Sequence, residues 1–479
     1  MDYNQINTIL KNIKDNNKSI YIMGCGGISM SIISDYLLKN NYNVVGVDLK
    51  LNKVLQKDKY IKLLDQHHED NLNNCHCLIV SHFFTDGNFP EIIYARNNNI
   101  PIILRIDFLN YMAQQVKNNN KLIGVIGTCG KTTTTYFGFQ LSKMLGHNPS
   151  IFGGSYLPTV GNNYFLGDRD IFFENDESRD EHLRLKADVM ILTALFQDHL
   201  EAPCYDNNFQ KLKDSFLKQI NQIPMIIYYS DKGIIDDLIA KSNKIIGIDA
   251  FSYSDINGES HCFVQSFNQN HLGSMGNVII KKNGFKYNLN LCVPFQGIKN
   301  FLNYCANIFY QINENNYKKI IDVSRFVHMA SERYTYCGES NNVILINNFS
   351  QIVEEFLGSI KSYKDLYPSR KIYMAIELIH IARYNREISD FCRLESEVDG
   401  IFMAPVLNKT VHIPYSDDSL IQNKDLKKTI FFNTMEEFQH HLKKFIANNE
   451  KPCVLICSGY TKPHGLYLLE NLSTVEKFN

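Results

Sequence analysis

The sequence predicts an α/β fold of three domains, each built on a mostly parallel β-sheet. Three observations lead to this prediction. Strand patterns alternate with helix patterns between residues 19 and 117, a strand–glycine loop–helix unit follows, and the alternation returns after residue 323. Strands that alternate with helices are typical of parallel sheets covered by helices. A chain of 479 residues also has the length of about three domains.

The first predicted domain covers residues 1–118 and is Rossmann-like. Its expected strands lie at 19–23, 43–48, 76–81 and 101–105, with a helix at 28–40. The polar run at 114–121 lacks an apolar period and is expected to be a linker.

The second predicted domain covers residues 119–322 and the third, again Rossmann-like, covers 323–479. In the second, strands are expected at 122–126, 169–174 and 188–193, with a hairpin that turns at Lys282-Asn283-Gly284. In the third, strands are expected near 343–346, 371–376, 400–403, 429–432 and 453–457, with helices between them.

The composition narrows the class of protein. The net charge is −1, so no strong attraction to nucleic acid or to an anionic membrane is expected. No apolar run reaches membrane-spanning length. The twelve cysteines are scattered, and Cys292, Cys453 and Cys457 lie in apolar strand-like runs, as buried free thiols do in a reducing compartment. We therefore expect a cytoplasmic protein, a monomer or weak dimer, without nucleic-acid partners or membrane insertion.

The most informative segment is a glycine loop between an apolar strand and a helix predicted at 131–146. It reads Gly127-Thr128-Cys129-Gly130-Lys131-Thr132-Thr133. Such a loop points backbone N–H groups at phosphate oxygens beside a positive helix N-terminus. Lys131 can reach the outer phosphates, and the Thr132 hydroxyl can ligate Mg²⁺. The segment predicts a P-loop that binds a nucleoside triphosphate.

A second glycine loop follows the first predicted strand and opens a helix. It includes Gly24, Gly26, Gly27 and Ile28, and Asp48 ends the next strand about twenty residues later. A dinucleotide fingerprint has this spacing, but Ser29 replaces its third glycine. The loop predicts a ligand that carries a diphosphate and leaves open whether this is NAD.

The two glycine loops belong to a series of short motifs that follow one another along the chain. They resemble the Mur ligase motifs GIGGxGMS at 24–31, NPEI at 89–92, GTxGKTTT at 127–134, EADES at 174–178, TNIExDH at 193–199, GxHNxxN at 297–303 and RRF at 332–334. The chain is therefore identified as resembling the Mur ligase family over residues 19–335.

This resemblance implies an ATP-dependent ligase of peptidoglycan precursor synthesis, with ATP and Mg²⁺ as cofactors. It would join an amino acid, with L-alanine favoured, to the carboxylate of UDP-N-acetylmuramate through an acyl phosphate. Two alternatives stay open. One is a ligase that recycles a murein tripeptide onto the same sugar nucleotide. The other is a catalytically impaired paralogue that binds UDP-sugar and ATP as a regulatory or scaffolding module.

The resemblance also implies roles for individual residues. The catalytic set would be Lys131, Glu174, His199 and Arg333, and the metal ligands Thr132, Glu174 and His199. Besides the loop from Gly127 to Thr133, ATP would contact Asn300, Asn303, Arg333 and Asn348. The UDP-sugar would contact Gly24, Gly26, Gly27, Ile28, Asp48, Ser81, His82, Arg105, Gly154 and Asn163.

The chain departs from the family pattern mainly in the third domain. The motif DDYAHHP is reduced to the run 347–353, in which the neutral Asn348 replaces a carboxylate. For FQPHxYxR the nearest run is 376–383, and GAGD is reduced to 457–460. Earlier in the chain, Ala194, Phe196 and Lys299 replace an asparagine, a glutamate and a histidine. These changes predict weak activity or a different amino-acid substrate.

Overall fold

The computed structural model describes residues 1–48, 62–64, 66–85, 88–243, 248–253, 260–330, 333–378, 381–406 and 425–459. These residues fall into two units. The first comprises Met1–Gly127, Lys131–Ala194 and Gln210–Asp249. The second comprises Thr128–Gly130, Leu195–Phe209 and the described chain from Ala250 onward.

The first unit begins with a five-stranded parallel sheet. Its elements are α1 (Tyr3–Asp15), β1 (Ser19–Met23), α2 (Ile28–Lys39), β2 (Asn43–Val47), β3 (Lys62–Leu64), β4 (Cys75–Val80), α3 (His82–Thr85), α4 (Pro90–Asn97), β5 (Ile102–Leu104) and α5 (Arg105–Lys117). The strand order is β3-β2-β1-β4-β5. Four of the five residues of β1 are buried, because it is the central strand and helices cover both faces.

The linker predicted at 114–121 is wrong in its first half, because α5 continues through Lys117. The inner face of this helix buries Phe108, Met112 and Ala113. The polar residues on its outer face hide the helical spacing of the apolar residues in the sequence. At the end of the helix, the Lys117 ammonium pairs with Asp188 at 2.9 Å.

The first unit also contains the strands around the phosphate loop. Its further elements are β6 (Leu122–Ile126), α6 (Lys131–Met144), β7 (Ser150–Leu157), β8 (Asn162–Phe165), β9 (Ile171–Glu174), β10 (Val189–Leu192), α7 (Phe209–Gln222), β11 (Met225–Tyr229) and α8 (Ile234–Lys241). The strands lie in the order β11-β10-β6-β9-β7-β8. Only β8 is antiparallel to its neighbour. All residues of β6 are buried, as expected for a central parallel strand.

The second unit contains a hairpin region. Its elements are the larger part of β12 (Ile248–Tyr253), which begins two residues before the unit boundary, and β13 (Cys262–Asn270), β14 (Gly273–Lys282), β15 (Phe285–Val293), α9 (Ile298–Gln311) and α10 (Tyr317–Val323). The predicted hairpin turn is confirmed, since Lys282 pairs with Phe285 across Asn283 and Gly284. Both turn residues have positive φ, 51° and 81°, as a two-residue type I′ turn requires. The buried thiol predicted at Cys292 is wrong: β15 alternates exposed and buried positions, and Cys292 is exposed.

The rest of the second unit forms a six-stranded sheet. Its elements are β16 (Thr335–Ser340), β17 (Val343–Asn347), α11 (Val353–Leu366), β18 (Lys371–Ile376), α12 (Ile381–Glu387), α13 (Phe391–Glu397), β19 (Gly400–Met403), β20 (Thr429–Phe431), α14 (Met435–Ala447) and β21 (Cys453–Ser458). The order is β16-β17-β21-β18-β19-β20, and only β16 is antiparallel. Apolar clusters on both faces bury β17, β18 and β21.

The predicted α/β class with mostly parallel sheets is confirmed. The division at residues 118 and 322 stays a prediction. Among the described helices, none has the length and apolar character needed to cross a membrane.

Candidate active site

The loop between β6 and α6 depends on its glycines. Gly127 has a φ of +144°, and a Cβ atom built on it would lie only 2.3 Å from the Thr193 hydroxyl oxygen. Gly130 also has a positive φ, of 82°. A side chain at either position would be strained, so the loop conformation requires these residues.

Lys131 begins α6 and folds back over the loop. Its ammonium donates to the Gly127 carbonyl oxygen at 2.7 Å and pairs with the Glu177 carboxylate at 2.7 Å. Burial alone would lower the pKa of Lys131, but Glu177 and the neighbouring carboxylates outweigh it and raise the pKa. The lysine therefore stays charged, as a phosphate-binding lysine must.

Glu174 ends β9 and joins two other predicted site residues. One of its carboxylate oxygens accepts from the Thr132 hydroxyl at 2.9 Å, and the other from the Gly154 N–H at 2.6 Å. A Cβ atom built on Gly154 would lie 2.4 Å from that carboxylate, so the glycine makes this contact possible. Burial raises the pKa of Glu174. A hydroxyl and a carboxylate are the hard oxygen donors that Mg²⁺ takes, so the Thr132–Glu174 pair fits this cation.

The glycine loop at Gly24–Ile28 contacts two other residues that were predicted to bind the same ligand, Asp48 and Asn163. The Gly26 N–H donates to the Asp48 carboxylate at 2.8 Å. The Asn163 side chain donates to the Ile28 carbonyl oxygen. Within the described part of the chain, the buried side-chain oxygen of Asn163 accepts no hydrogen bond. A buried acceptor without a donor is costly, so this atom is suited to a ligand donor. The roles of these residues in binding UDP-sugar stay predictions.

His82 and Arg105 lie where β4 and β5 end, and one carboxylate contacts both. The Glu181 carboxylate pairs with the His82 imidazole and the Arg105 guanidinium. Burial would lower the pKa of Arg105, but Glu181 and Asp176 raise it. Ser81 lies just before His82, and the Phe84 N–H donates to its carbonyl oxygen at 3.1 Å.

Sequence reasoning missed Glu181. The backbone before it turns through positive φ values of 57° at Arg179 and 59° at Asp180. The acidic run that starts at Glu174 was the available signal, but the sequence does not reveal which carboxylate turns toward His82.

In the second unit, predicted ATP residues lie around Tyr334. Gly297 precedes α9 with a φ of +94°, and a Cβ atom on it would lie 3.1 Å from the Asn300 amide nitrogen and 3.6 Å from the Tyr334 ring. The Tyr334 N–H donates to the Asn348 side-chain oxygen at 3.2 Å. Asn303 lies further along α9 and is 8% exposed. Asn300 and the Tyr334 ring thus both lie next to Gly297, and Asn348 contacts the Tyr334 backbone.

Asn348 is a buried hydrogen-bonding centre. Its amide nitrogen donates to the hydroxyl oxygens of Ser350 at 3.1 Å and Ser359 at 2.5 Å. Its side-chain oxygen accepts from Tyr334, and only 2% of the residue is exposed. Both amide N–H groups are therefore used inside the protein. An ATP contact of this side chain stays a prediction.

Arg333 contacts the residue after Asn348. Its guanidinium donates to the Phe349 carbonyl oxygen and lies 4.8 Å from the centre of the Phe349 ring. The neighbouring Glu332 of the RRF match lies outside the described residues. The phosphate contact predicted for Arg333 is untested by this geometry.

His199 lies beside a buried carboxylate. Its backbone has a φ of 53°, and its imidazole Nε2 lies 3.7 Å from the Asp198 carboxylate. The Arg383 guanidinium donates to Asp198 at 2.8 and 3.1 Å, and Arg386 donates at 3.2 Å. Burial would raise the pKa of Asp198, but Arg383, His199 and Arg386 lower it well below its usual range. His199 belongs to the second unit and Glu174 to the first. Their joint role as metal ligands therefore stays a prediction.

Arg383 and Arg386 were not predicted as a pair. The run at 376–383 starts in β18, and its Ile379 and His380 lie outside the described residues. The Y-x-R end of FQPHxYxR matches Tyr384-Asn385-Arg386 in α12, three residues later than the predicted run. This tyrosine–arginine spacing was the signal that could have located Arg386, whereas Arg383 is the last residue of the predicted run.

Comparisons with known proteins agree with the resemblance to the Mur ligase family. A family model described as "Mur ligase family, catalytic domain" matches residues 19–117. The UDP-N-acetylmuramate–L-alanine ligase of Buchnera aphidicola subsp. Acyrthosiphon pisum (strain Tuc7) is 30% identical over 447 residues, which cover 89% of this chain and 88% of that protein.

Two solved structures show a similar fold. The UDP-N-acetylmuramate–alanine ligase MurC from Thermotoga maritima has a TM-score of 0.73 at 20% identity and covers 95% of this chain and 98% of that one. The murein peptide ligase from Psychrobacter arcticus 273-4 has a TM-score of 0.67 at 15% identity, with 95% and 100% covered. Given the identity and coverage of the Buchnera relative, the chain belongs to the Mur ligase family.

Proposed function

We propose that the chain is an ATP-dependent ligase that joins L-alanine to the carboxylate of UDP-N-acetylmuramate in peptidoglycan precursor synthesis. One observation carries the proposal: Lys131 pairs with Glu177 over the phosphate loop, and Thr132 and Gly154 both contact Glu174. A loop that only cradled phosphate would not need the second carboxylate at the end of β9. The name of the Buchnera relative supports the choice of substrates.

The chemistry requires a carboxylate oxygen to become a good leaving group. In the proposed reaction the substrate carboxylate attacks the γ-phosphorus of ATP, which gives an acyl phosphate and ADP. The amine of the amino acid then attacks the acyl carbon, and phosphate leaves with the bridging oxygen. Negative charge is spread over phosphoryl oxygens throughout, so catalysis is mainly positioning and neutralisation. The loop amides and Lys131 serve this purpose at the outer phosphates.

Mg²⁺ is part of the proposal. Thr132 and Glu174 would hold it, with His199 as a ligand carried over from the family motif. A bound Mg²⁺ neutralises charge on phosphate oxygens and orients them. Because burial raises the pKa of Glu174, a nearby cation would also favour its ionised form.

The sugar nucleotide would be bound at the carboxyl edge of the first sheet. Parallel sheets bind ligands outside the carboxyl ends of their strands, where Gly26, Asp48, His82 and Arg105 lie. In this proposal residues 1–118 take the UDP-sugar, 119–322 take ATP and 323–479 complete the amino-acid and nucleotide sites.

One observation favours the impaired paralogue as a second candidate. Asn348 replaces an expected carboxylate, and its amide is engaged inside the protein. The retained Lys131 and Glu174 favour the enzyme, because a binding module needs neither charge for turnover.

The test is phosphate release by the purified chain with ATP, Mg²⁺ and UDP-N-acetylmuramate, compared across single amino acids and the murein tripeptide. We expect release that depends on L-alanine. Dependence on the tripeptide would move the proposal to the recycling ligase. No release with any acceptor, while both nucleotides bind, would replace the enzyme with the non-catalytic paralogue.

A further inference from the structure

Two departures from the family motifs contact each other. Phe196 stands where TNIExDH has a glutamate, and Lys299 stands where GxHNxxN has a histidine. The Lys299 ammonium lies 5.1 Å from the centre of the Phe196 ring. A cation at this distance from an aromatic face is attracted by the ring quadrupole. The two replacements therefore form one structural pair.

This pair is attached to the phosphate loop. The Phe196 N–H donates to the Thr128 hydroxyl oxygen at 2.8 Å, and Thr128 is 8% exposed. Lys299 lies in the first turn of α9, next to Asn300. Phe196 thus contacts the loop that is expected to bind phosphates through its backbone and the Lys299 ammonium through its ring.

The charge of Lys299 is not cancelled by a carboxylate. Across the described ranges, Lys299 forms no ion pair. Its ammonium faces the Phe196 ring, and a Cβ atom built on Gly358 of α11 would lie 4.0 Å from the ammonium nitrogen. Lys131 differs, because Glu177 pairs with it at 2.7 Å and offsets its charge. A glutamate at position 196 would offset Lys299 in the same way. Phenylalanine holds the ammonium without neutralising it.

We propose that Lys299 binds the terminal phosphates of the nucleoside triphosphate and that Phe196 positions it. The proposal rests on the proposed binding of ATP at the phosphate loop. A lysine stays charged over the physiological pH range, whereas a histidine is largely neutral above pH 7. The replacement therefore puts a cation where the family motif has a largely neutral side chain, on the helix whose Lys299 contacts the Thr128-bound Phe196.

The test measures equilibrium binding of ATP, ADP and AMP by titration calorimetry, without sugar nucleotide or amino acid. Lys299→Ala is expected to weaken ATP binding by about tenfold or more, because the variant loses a charge-assisted hydrogen bond to phosphate. AMP binding is expected to stay unchanged. Lys299→Arg should retain most of the ATP affinity, and Phe196→Leu should lose part of it.

Lys318→Ala is the matched control. Lys318 is also exposed and lies 5.9 Å from the centre of the Tyr317 ring on α10, so the same side chain is removed from a similar setting. This variant is expected to bind ATP like the unchanged chain.

Three results would overturn the assignment: an unchanged ATP affinity in Lys299→Ala, an equal loss for ATP and AMP, or an equal loss in Lys318→Ala. Because the readout is binding, the absence of ligase activity would leave the Lys299 assignment standing. Absence of ATP binding by the unchanged chain would overturn both proposals.

Discussion

The region around the phosphate loop and the region around Asn348 preserve the family pattern to different degrees. In the first, residues that match the motifs contact one another: Lys131 with Glu177, and Thr132 with Glu174. In the second, Asn348 departs from the motif and contacts Ser350 and Ser359. The first region keeps the charges that phosphoryl transfer needs, whereas the second has replaced a charge with a neutral buried network.

The difference between the two regions shows when a motif match predicts the contacts of its residues and when it does not. Where the charged and hydroxyl-bearing residues match, as at Lys131, Thr132, Glu174 and Glu177, their contacts join one matched motif to another. Where a motif residue is replaced, as at Asn348, the new side chain takes a partner from outside the motif, here Ser359. A neutral amide at position 348 is therefore evidence of a rebuilt environment rather than of simple loss.

The largest expected effect tests the region around the phosphate loop. Lys131→Ala should lower turnover by about 100- to 1,000-fold, since the variant loses a cation that stabilises developing phosphoryl charge. Binding of UDP-N-acetylmuramate should stay unchanged, because its predicted residues lie mainly in the first sheet. The measurements are phosphate release and calorimetric binding of the sugar nucleotide.

Lys143→Ala on the same helix is the control for this variant. Lys143 is exposed and lies 4.4 Å from the centre of the Phe165 ring. Because Lys131 also pairs with buried Glu177, thermal unfolding is measured in parallel. Equal losses of turnover and sugar-nucleotide binding in a folded Lys131→Ala protein would contradict the separation of the two sites.

The next effect concerns stability in the divergent region. Arg383→Leu should lower the free energy of unfolding by about 3 kcal/mol, because it removes one partner of a buried ion pair with Asp198. Arg393→Leu is the control, since Arg393 is half exposed and pairs with Glu354 at the surface. It should cost less than about 1 kcal/mol.

The same pair predicts a pH dependence. Since the pKa of Asp198 is lowered in the folded protein, its stabilising contribution is complete above a pH of about 4 and is lost as the pH falls further. This acid-dependent loss should be smaller in Arg383→Leu. Equal urea midpoints for the two arginine variants would show that Arg383 and Asp198 are not coupled.

The smallest effect is expected at Asn348. Asn348→Asp removes both amide N–H donors from a residue that is 2% exposed and should cost about 2 kcal/mol of stability. The Ser359 hydroxyl already donates to the Glu355 carbonyl oxygen at 3.0 Å, so it must rearrange to meet a carboxylate. Asn315→Asp, on an exposed turn residue, is the control. Higher turnover without loss of stability would mean that position 348 still serves the nucleotide as a carboxylate site.

Much of the fold could be predicted because central parallel strands are continuous apolar runs. The strands β1 and β6 have the predicted bounds, and both are buried on two faces. The extension of α5 was missed because its outer face is polar. Exposed strands such as β15 alternate, so burial of Cys292 could not be inferred from the apolar letters around it.

The site was predictable where partners belong to local motifs, and less so where they are distant in sequence. Glu181 contacts His82 across 99 residues, and Arg383 contacts Asp198 across 185 residues. Nothing in the local sequence specifies such pairs, because the fold brings them together. The Phe196–Lys299 pair was visible as two separate departures, but its geometry was not.

The most direct test of the proposed acyl-phosphate reaction uses UDP-N-acetylmuramate labelled with ¹⁸O in its carboxylate. The labelled compound is incubated with the chain, ATP, Mg²⁺ and L-alanine. An acyl phosphate retains the attacking carboxylate oxygen as its bridging atom, and the released phosphate takes that oxygen with it. We predict that one ¹⁸O is found in inorganic phosphate and one in the new amide. The nucleotide product is expected to be ADP. Amide formed with unlabelled phosphate, or with the label in AMP, would contradict the acyl-phosphate ligase proposed for this chain.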